Sequence, residues 1–351
     1  MRFVAFLWTA ALVLAQNADL ASRLDHVLDA YQQNRHFIGS ALVAKDGKVV
    51  IEKGYGFANI EWSIPNTPDT KFRLGSITKQ FTATAIMQLA EQGKLSVDDR
   101  ACKYVDNCPE AWKPITIHQL LTHTSGIPSY TSQEFMGAPK TVRAPLSPVD
   151  VLMLTRDKPL DFAPGSDWRY DNSGFVFLGV IVEKVSGEKY ADYLQKHIFG
   201  PLDMQSTGYD DTRSILKNRA SGYQPGPGGL VNSDYIDMSL PYAAGSLYST
   251  VRDLYRWDRA LYTEKVLKQS SKEKMFTPYK HDYGYGLMLQ PIANHTQIGH
   301  GGGIFGFATY IARFPKDDTF VVVLSNAVNA NPQAVATALA ATMFGEKADV
   351  P

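Results

Sequence analysis

Apolar residues at Ile77, Phe81, Ala85, Ile86 and Leu89 recur at the i, i+4, i+8 spacing of one helical face, between Gly75 and Gly93. This predicts a buried helix over residues 76–92. A second stripe, Leu20, Leu24, Val27, Leu28 and Tyr31, predicts an amphipathic helix over 17–35. Residues 38–44 and 48–53 are apolar runs on either side of Asp46-Gly47, a hairpin signal. Towards the other end, residues 285–290, 296–300, 307–314 and 319–325 read as strands. Pro315-Lys316-Asp317-Asp318 turns between the last two, and the alanine-rich residues 332–344 read as a closing helix.

Between about 77 and 280 helical patterns dominate. Their starts are marked by Thr116 with Gln119, Ser147 with Pro148 and Asp150, and Thr250 or Ser249 ahead of Asp253. Residues 176–185 form another apolar helix, ended by Ser186-Gly187. Residues 222–234, with Pro225, Pro227 and two adjacent glycines, read as a long surface loop. The simplest architecture is α/β of the α+β kind. Strands from both ends pair in one antiparallel sheet flanked by the terminal helices (about 17–75 and 281–345), with a mostly helical part (about 76–280) inserted. A site is expected where the two parts meet.

Composition narrows the function. The 351 residues carry 35 basic and 35 acidic side chains, so nothing marks a nucleic-acid surface. No run of lysines or arginines seeks a membrane. The first fifteen residues stand apart: Arg2, an apolar run over 3–14, and Val13-Leu14-Ala15 as a small-residue cleavage pattern. This predicts a secretory signal, too short for a membrane span, and an exported, periplasmic or extracellular chain with no span after its removal. Cys102 and Cys108 are the only cysteines. Export permits a disulfide, and they are expected to pair across a small loop before Pro109.

Three short motifs carry candidate chemistry. Ser76-Ile77-Thr78-Lys79 fits S-x-x-K, the pattern of β-lactamases and penicillin-binding proteins. The same spacing occurs at Ser186/Lys189, Ser214/Lys217 and Ser271/Lys274, but only Ser76 heads a strongly apolar helix. There both side chains share one face, the hydroxyl sits among unpaired backbone N–H groups, and a desolvated lysine can serve as a neutral base. Tyr170-Asp171-Asn172 is the only Y-x-N. A phenol beside a cationic lysine ionises more easily and can relay a proton, and the amide can hold a substrate carbonyl or orient the lysine. His300-Gly301-Gly302-Gly303 ends a predicted strand, where glycines admit a substrate backbone. The N–H groups of Gly303 and Ser76 could form an oxyanion hole. The HGGG run also occurs in α/β-hydrolases, but the G-x-S-x-G elbow of that fold is absent.

The three motifs in this order resemble the serine β-lactamase and penicillin-binding protein superfamily, closest to its class C-like branch of DD-carboxypeptidases, D-aminopeptidases and esterases. Leu120-Leu121-Thr122-His123-Thr124-Ser125-Gly126-Ile127-Pro128, Pro201-Leu202-Asp203-Met204 and Ala244–Thr250 are also similar to that branch. The resemblance implies a β-lactamase/transpeptidase-like fold over residues 16–345, with a five-stranded antiparallel sheet. It implies Ser76 as nucleophile, Lys79 as proton acceptor, Tyr170 as shuttle, and Asn172 with His300, Gly301, Gly302 and Gly303 at the substrate. It implies amide or ester hydrolysis of a small-molecule or short-peptide substrate through an acyl-enzyme, without metal or cofactor. His123 is expected to be structural. Many relatives carry lysine where His300 stands, so weaker selection for a substrate carboxylate is expected, and with it poor β-lactamase action.

Overall fold

The computed structural model describes residues 19–34, 37–132, 142–292 and 294–351. The expected signal lies outside the described residues. Residues 19–33 form helix α1, followed by β1 (Gly39–Lys45) and β2 (Lys48–Tyr55). The far end supplies β3 (Ile298–Ile304), β4 (Phe307–Phe314), β5 (Thr319–Ser325) and the closing helix Pro332–Met343. The five strands make one antiparallel sheet in the order β3-β4-β5-β1-β2. The two ends of the chain meet at its centre, where Gly39 to Lys45 of β1 run opposite Ser325 to Thr319 of β5.

Both central strands are buried on both faces, which is why they read as continuous apolar runs. The period of two still sorts their side chains. Ala41, Val43, Val321 and Val323 pack with Leu24, Leu28, Val335 and Leu339 of the terminal helices. Leu42, Ala44, Phe320, Val322 and Leu324 face the helical part.

The helical part is built on two adjacent helices, α2 (Thr78–Glu91) and α3 (Ser173–Ser186), the latter stopped by left-handed Gly187 at φ +76°. The sequence spacing predicted one apolar face for α2. In the fold nearly every residue of α2 is buried, its polar side chains included. Thr82 donates to Ala243 O at 2.7 Å, and Gln80 Oε1 accepts from Trp257 Nε1 at 2.6 Å. The expected caps form: Thr116 with Gln119 and Ser147 with Asp150 make capping boxes, and Thr250 accepts from Asp253 N. Cys102 and Cys108 are bonded through sulfur, with Cα atoms 5.6 Å apart.

Two expectations are corrected. Residues 285–290 are not a strand; they hold only isolated bridges, because Gly286 at φ +71° turns the chain against the backbone of Lys79. Residues 222–234 are not a plain loop: Tyr223–Gly226 and Gly229–Asn232 pair as a hairpin, turning at Pro227 and left-handed Gly228. Pro225 is tolerated there because a two-stranded ribbon leaves edge positions that need no N–H.

Candidate active site

Ser76 stands in a single 3-10 turn, Gly75–Ile77, that leads directly into α2. Gly75 has φ +55°, and a Cβ there would lie 2.8 Å from the backbone N of Gly303. From the other side, a Cβ on Gly302 would lie 2.0 Å from Leu74 O. The absence of side chains at both positions is what lets β3 press backbone to backbone against the serine's turn. Thr309 Oγ1 of β4 pins the same turn by donating to Leu74 O at 2.8 Å.

Lys79, one helical turn on, is fully buried. Its Nζ lies 3.0 Å from Ser76 Oγ, 2.7 Å from Asn172 Oδ1 and 2.9 Å from Ala244 O. Burial pushes the amine down from 10.5 to about 7, against the pull of the Asp171 carboxylate. A neutral amine has two hydrogens and one lone pair. Asn172 Oδ1 and Ala244 O can only accept, so they take the two hydrogens and leave the lone pair to the Ser76 hydroxyl. Asn172 is oriented by its own amide nitrogen, which donates to Thr131 Oγ1 at 3.0 Å.

The segment bearing Tyr170 is held by the 120–131 stretch. His123, itself left-handed at φ +57°, accepts from Arg169 N through its carbonyl at 3.0 Å. Thr124 O takes Gly165 N, Gly126 O takes Asp161 N, and Ser129 Oγ takes Asn172 N. The His123 ring is buried, its Nδ1 accepts from Asp171 N at 3.2 Å, and it lies 4.3 Å from the Tyr170 ring. Burial holds His123 below the usual histidine range, so it supports Tyr170 as a neutral spacer.

Tyr170 is within hydrogen-bonding reach of Ser76, and Lys79 Nζ sits 4.9 Å from its ring centroid. The expectation of an easily ionised phenol is corrected. Burial raises Tyr170 well above the usual phenol range, outweighing the hydrogen bond to Ser76, and the neighbouring Asp171 carboxylate raises it further. The Lys79 amine, desolvated as expected and brought to about 7, offers the phenol only part of a cation's charge near neutral pH. The phenol therefore rests as a proton donor.

Ser76, Tyr170, Asn172 and Gly303 line one cavity of about 660 Å³. His300, Gly301 and Gly302 do not, which corrects their expected place on its wall. His300 is only 4% exposed. Its Nδ1 is 2.5 Å from Gly301 O, which can only accept, so Nε2 accepts from the Tyr283 hydroxyl at 3.0 Å. Burial, with Lys79 adding to it, pushes this imidazole down to about 3. Only Gly303 of the run reaches the cavity.

Three contributors were missed in the sequence. Asp171 is legible in hindsight as the acceptor for Gly174 N at the start of α3. Tyr283 donates to His300 Nε2 from another segment. Ala244 acts through a backbone carbonyl, which leaves no side-chain signal at all. Among the described residues no group of three or more His, Cys, Asp or Glu comes together that could hold a metal ion.

Known proteins place the geometry in a family. Residues 24–342 match the model of the Beta-lactamase family. A Bacillus subtilis (strain 168) protein with a penicillin-binding protein name, PbpX, is 34% identical over 302 residues, 85% of this chain and 73% of that one. The teichoic acid D-alanine hydrolase of Staphylococcus aureus (strain MRSA252) is 29% identical over 87% of this chain and 74% of its own. The solved D-stereospecific amidohydrolase from Streptomyces sp. superposes with a TM-score of 0.76 at 28% identity, over 90% of this chain and 98% of that one. A Ser–Lys–Tyr cluster on a buried lysine, at the junction of an antiparallel sheet and a helical insert, and a match over most of the chain lead to one conclusion: this chain belongs to the Beta-lactamase family and has its serine-hydrolase fold.

Proposed function

We propose that the chain is an exported serine hydrolase that cleaves amide or ester bonds of small substrates through an acyl-enzyme on Ser76. D-amino-acid amides, D-alanyl peptides and esters are the substrate class, in keeping with the D-alanine hydrolase and the D-stereospecific amidohydrolase it resembles. The observation that carries this reading is the Lys79 amine, 3.0 Å from Ser76 Oγ with both of its hydrogens engaged elsewhere.

Lys79 takes the Ser76 proton as Oγ attacks the carbonyl carbon. The N–H groups of Ser76 and Gly303 face the developing oxyanion. Tyr170, still protonated, gives its proton to the leaving amine or alcohol, and the ammonium now beside its ring stabilises the phenolate. Water then enters, Tyr170 takes a proton from it as its oxygen attacks the acyl carbon, and Lys79 returns its proton to Ser76 Oγ as the C–Oγ bond breaks and the acyl group leaves as the acid. The apolar stretch over 3–14 and the Cys102–Cys108 bridge support export.

A buried, neutral His300 supplies no cation for a substrate carboxylate. Hydrolysis of penicillins and cephalosporins is accordingly expected to stay below about 10⁶ M⁻¹s⁻¹ in kcat/KM. The test is labelling by a fluorophosphonate and turnover of D-alanyl amides, D-Ala-D-Ala peptides, nitrocefin and p-nitrophenyl esters, each against Ser76→Ala. Labelling that survives in Ser76→Ala, or its absence in the wild type, refutes the proposal.

A further inference from the structure

The cavity in front of Ser76 carries one formal charge among its described lining residues, and that charge is negative: Asp234. The sequence leaves Asp234 unremarked at the end of the 222–234 stretch. In the fold this stretch is a hairpin whose base is anchored to the rest of the molecule. Ser233 N donates to Gly222 O at 2.9 Å, Tyr223 N to Asn326 O at 3.0 Å, and Asp237 N to Val142 O at 2.9 Å. The anchoring holds Asp234, an exposed residue, in the lining of the same cavity as Gln224, Ser76 and Gly303.

Among the described residues no cation pairs with this carboxylate. Its only side-chain partner among the described residues is the amide of Gln224, at 3.4 Å. The guanidinium groups of Arg73 and Arg219, which line an adjoining groove with Asp234, both bind the buried Asp210, at 2.7 and 2.6 Å. Lys79 and His300 are both buried, and neither lines the wall. The rest of the described lining is uncharged and includes Ile304, Phe305 and Val328. A carboxylate facing an apolar wall in a semi-enclosed cleft projects its field onto whatever enters.

We propose that Asp234 is a specificity-determining residue that selects substrates carrying a cationic amino group a few bonds from the scissile carbonyl and discriminates against acidic ones. The inference rests on the hydrolase reading above and adds to it the charge of the substrate.

Three p-nitrophenyl esters of equal chain length test it: 6-aminohexanoyl (cationic), hexanoyl (neutral) and the adipoyl monoester (anionic). An exposed charge pair changes an equilibrium by up to about fivefold. The wild type is therefore expected to favour the cationic over the anionic ester by about tenfold, and by no more than about 25-fold, in kcat/KM, with the neutral ester between. Asp234→Asn should bring the three within about twofold of one another, and Asp234→Lys should invert the order. Adding 0.5 M NaCl should compress the wild-type preference. A wild-type preference for the anion, or a preference for the cation that survives in Asp234→Asn, overturns the proposal. The p-nitrophenolate burst separates the two levels. A Ser76-dependent burst with no charge preference removes this inference alone, and no Ser76-dependent burst with any ester removes the hydrolase reading and this inference with it.

Discussion

Replacing Lys79 by Met keeps the length of the side chain and removes the amine. In the unfolded chain this lysine titrates at its ordinary 10.5, and in the fold burial brings it to about 7. Below about pH 7 both states hold the proton, and the folded state bears the full cost of a buried cation. Between about 7 and 10.5 the unfolded chain alone holds it, so each rise of one pH unit there stabilises the folded state by about 1.4 kcal/mol. Above 10.5 both states are neutral and the cost is gone. Raising the pH from 6 to 9 is therefore expected to stabilise the wild type by about 2–3 kcal/mol relative to Lys79→Met. The substitution also leaves Asn172 Oδ1 and Ala244 O without their donor, at about 1–3 kcal/mol each. That offsets most of what removing the amine gains at pH 7, so the diagnostic is the slope and not the stability at one pH. Urea unfolding of both proteins at pH 6, 7, 8 and 9, followed by tryptophan fluorescence, measures it. Stability curves that run parallel across this range would refute a depressed, buried lysine. The same amine governs acylation: the wild-type burst rate should fall about tenfold per pH unit below about 7 and level off above it.

Tyr170→Phe removes the proton donor and keeps the ring against His123, so turnover should drop by about 10²–10⁴-fold with the unfolding midpoint nearly unchanged. Turnover within tenfold of wild type would exclude the shuttle. Gly302→Ala drives a methyl into Leu74 O and Thr309 Oγ1, at 2.0 and 2.3 Å, so it should cost about 3 kcal/mol and slow acylation by displacing the serine's turn. Gly303→Ala meets nothing within 4 Å and should fold as the wild type does. Thermal unfolding of the pair checks this contrast, and equal midpoints would contradict the backbone contact. Removing Asp258, buried and paired with Arg313 at 2.9 Å and with Arg259 at 2.6 Å, should cost about 3–5 kcal/mol; a denaturation midpoint close to wild type would contradict it.

Local chemistry made much of the molecule legible. Strands β1, β2, β4 and β5, the caps at Thr116, Ser147 and Thr250, and the stop at Gly187 all follow from nearest-neighbour rules, because their causes lie within a few residues. Ser76 and Lys79 belong to the same class, since one helical turn brings them together whatever surrounds them. Residues 285–290 and 222–234 were misjudged because glycine and proline report only that the chain bends, not where the bent chain goes next.

Tertiary structure alone decided the protonation states of Tyr170 and His300, the partners that hold Lys79, and the walls of the cavity. The neutral amine of Lys79 needs a carbonyl from residue 244 and an amide from residue 172. The protonated phenol of Tyr170 needs its burial beside His123, and His300 is turned inward by Tyr283. Desolvation depends on everything that packs around a group, and a linear pattern holds no record of that. Chain order names the reacting groups, while the surrounding dielectric sets which of them holds the proton.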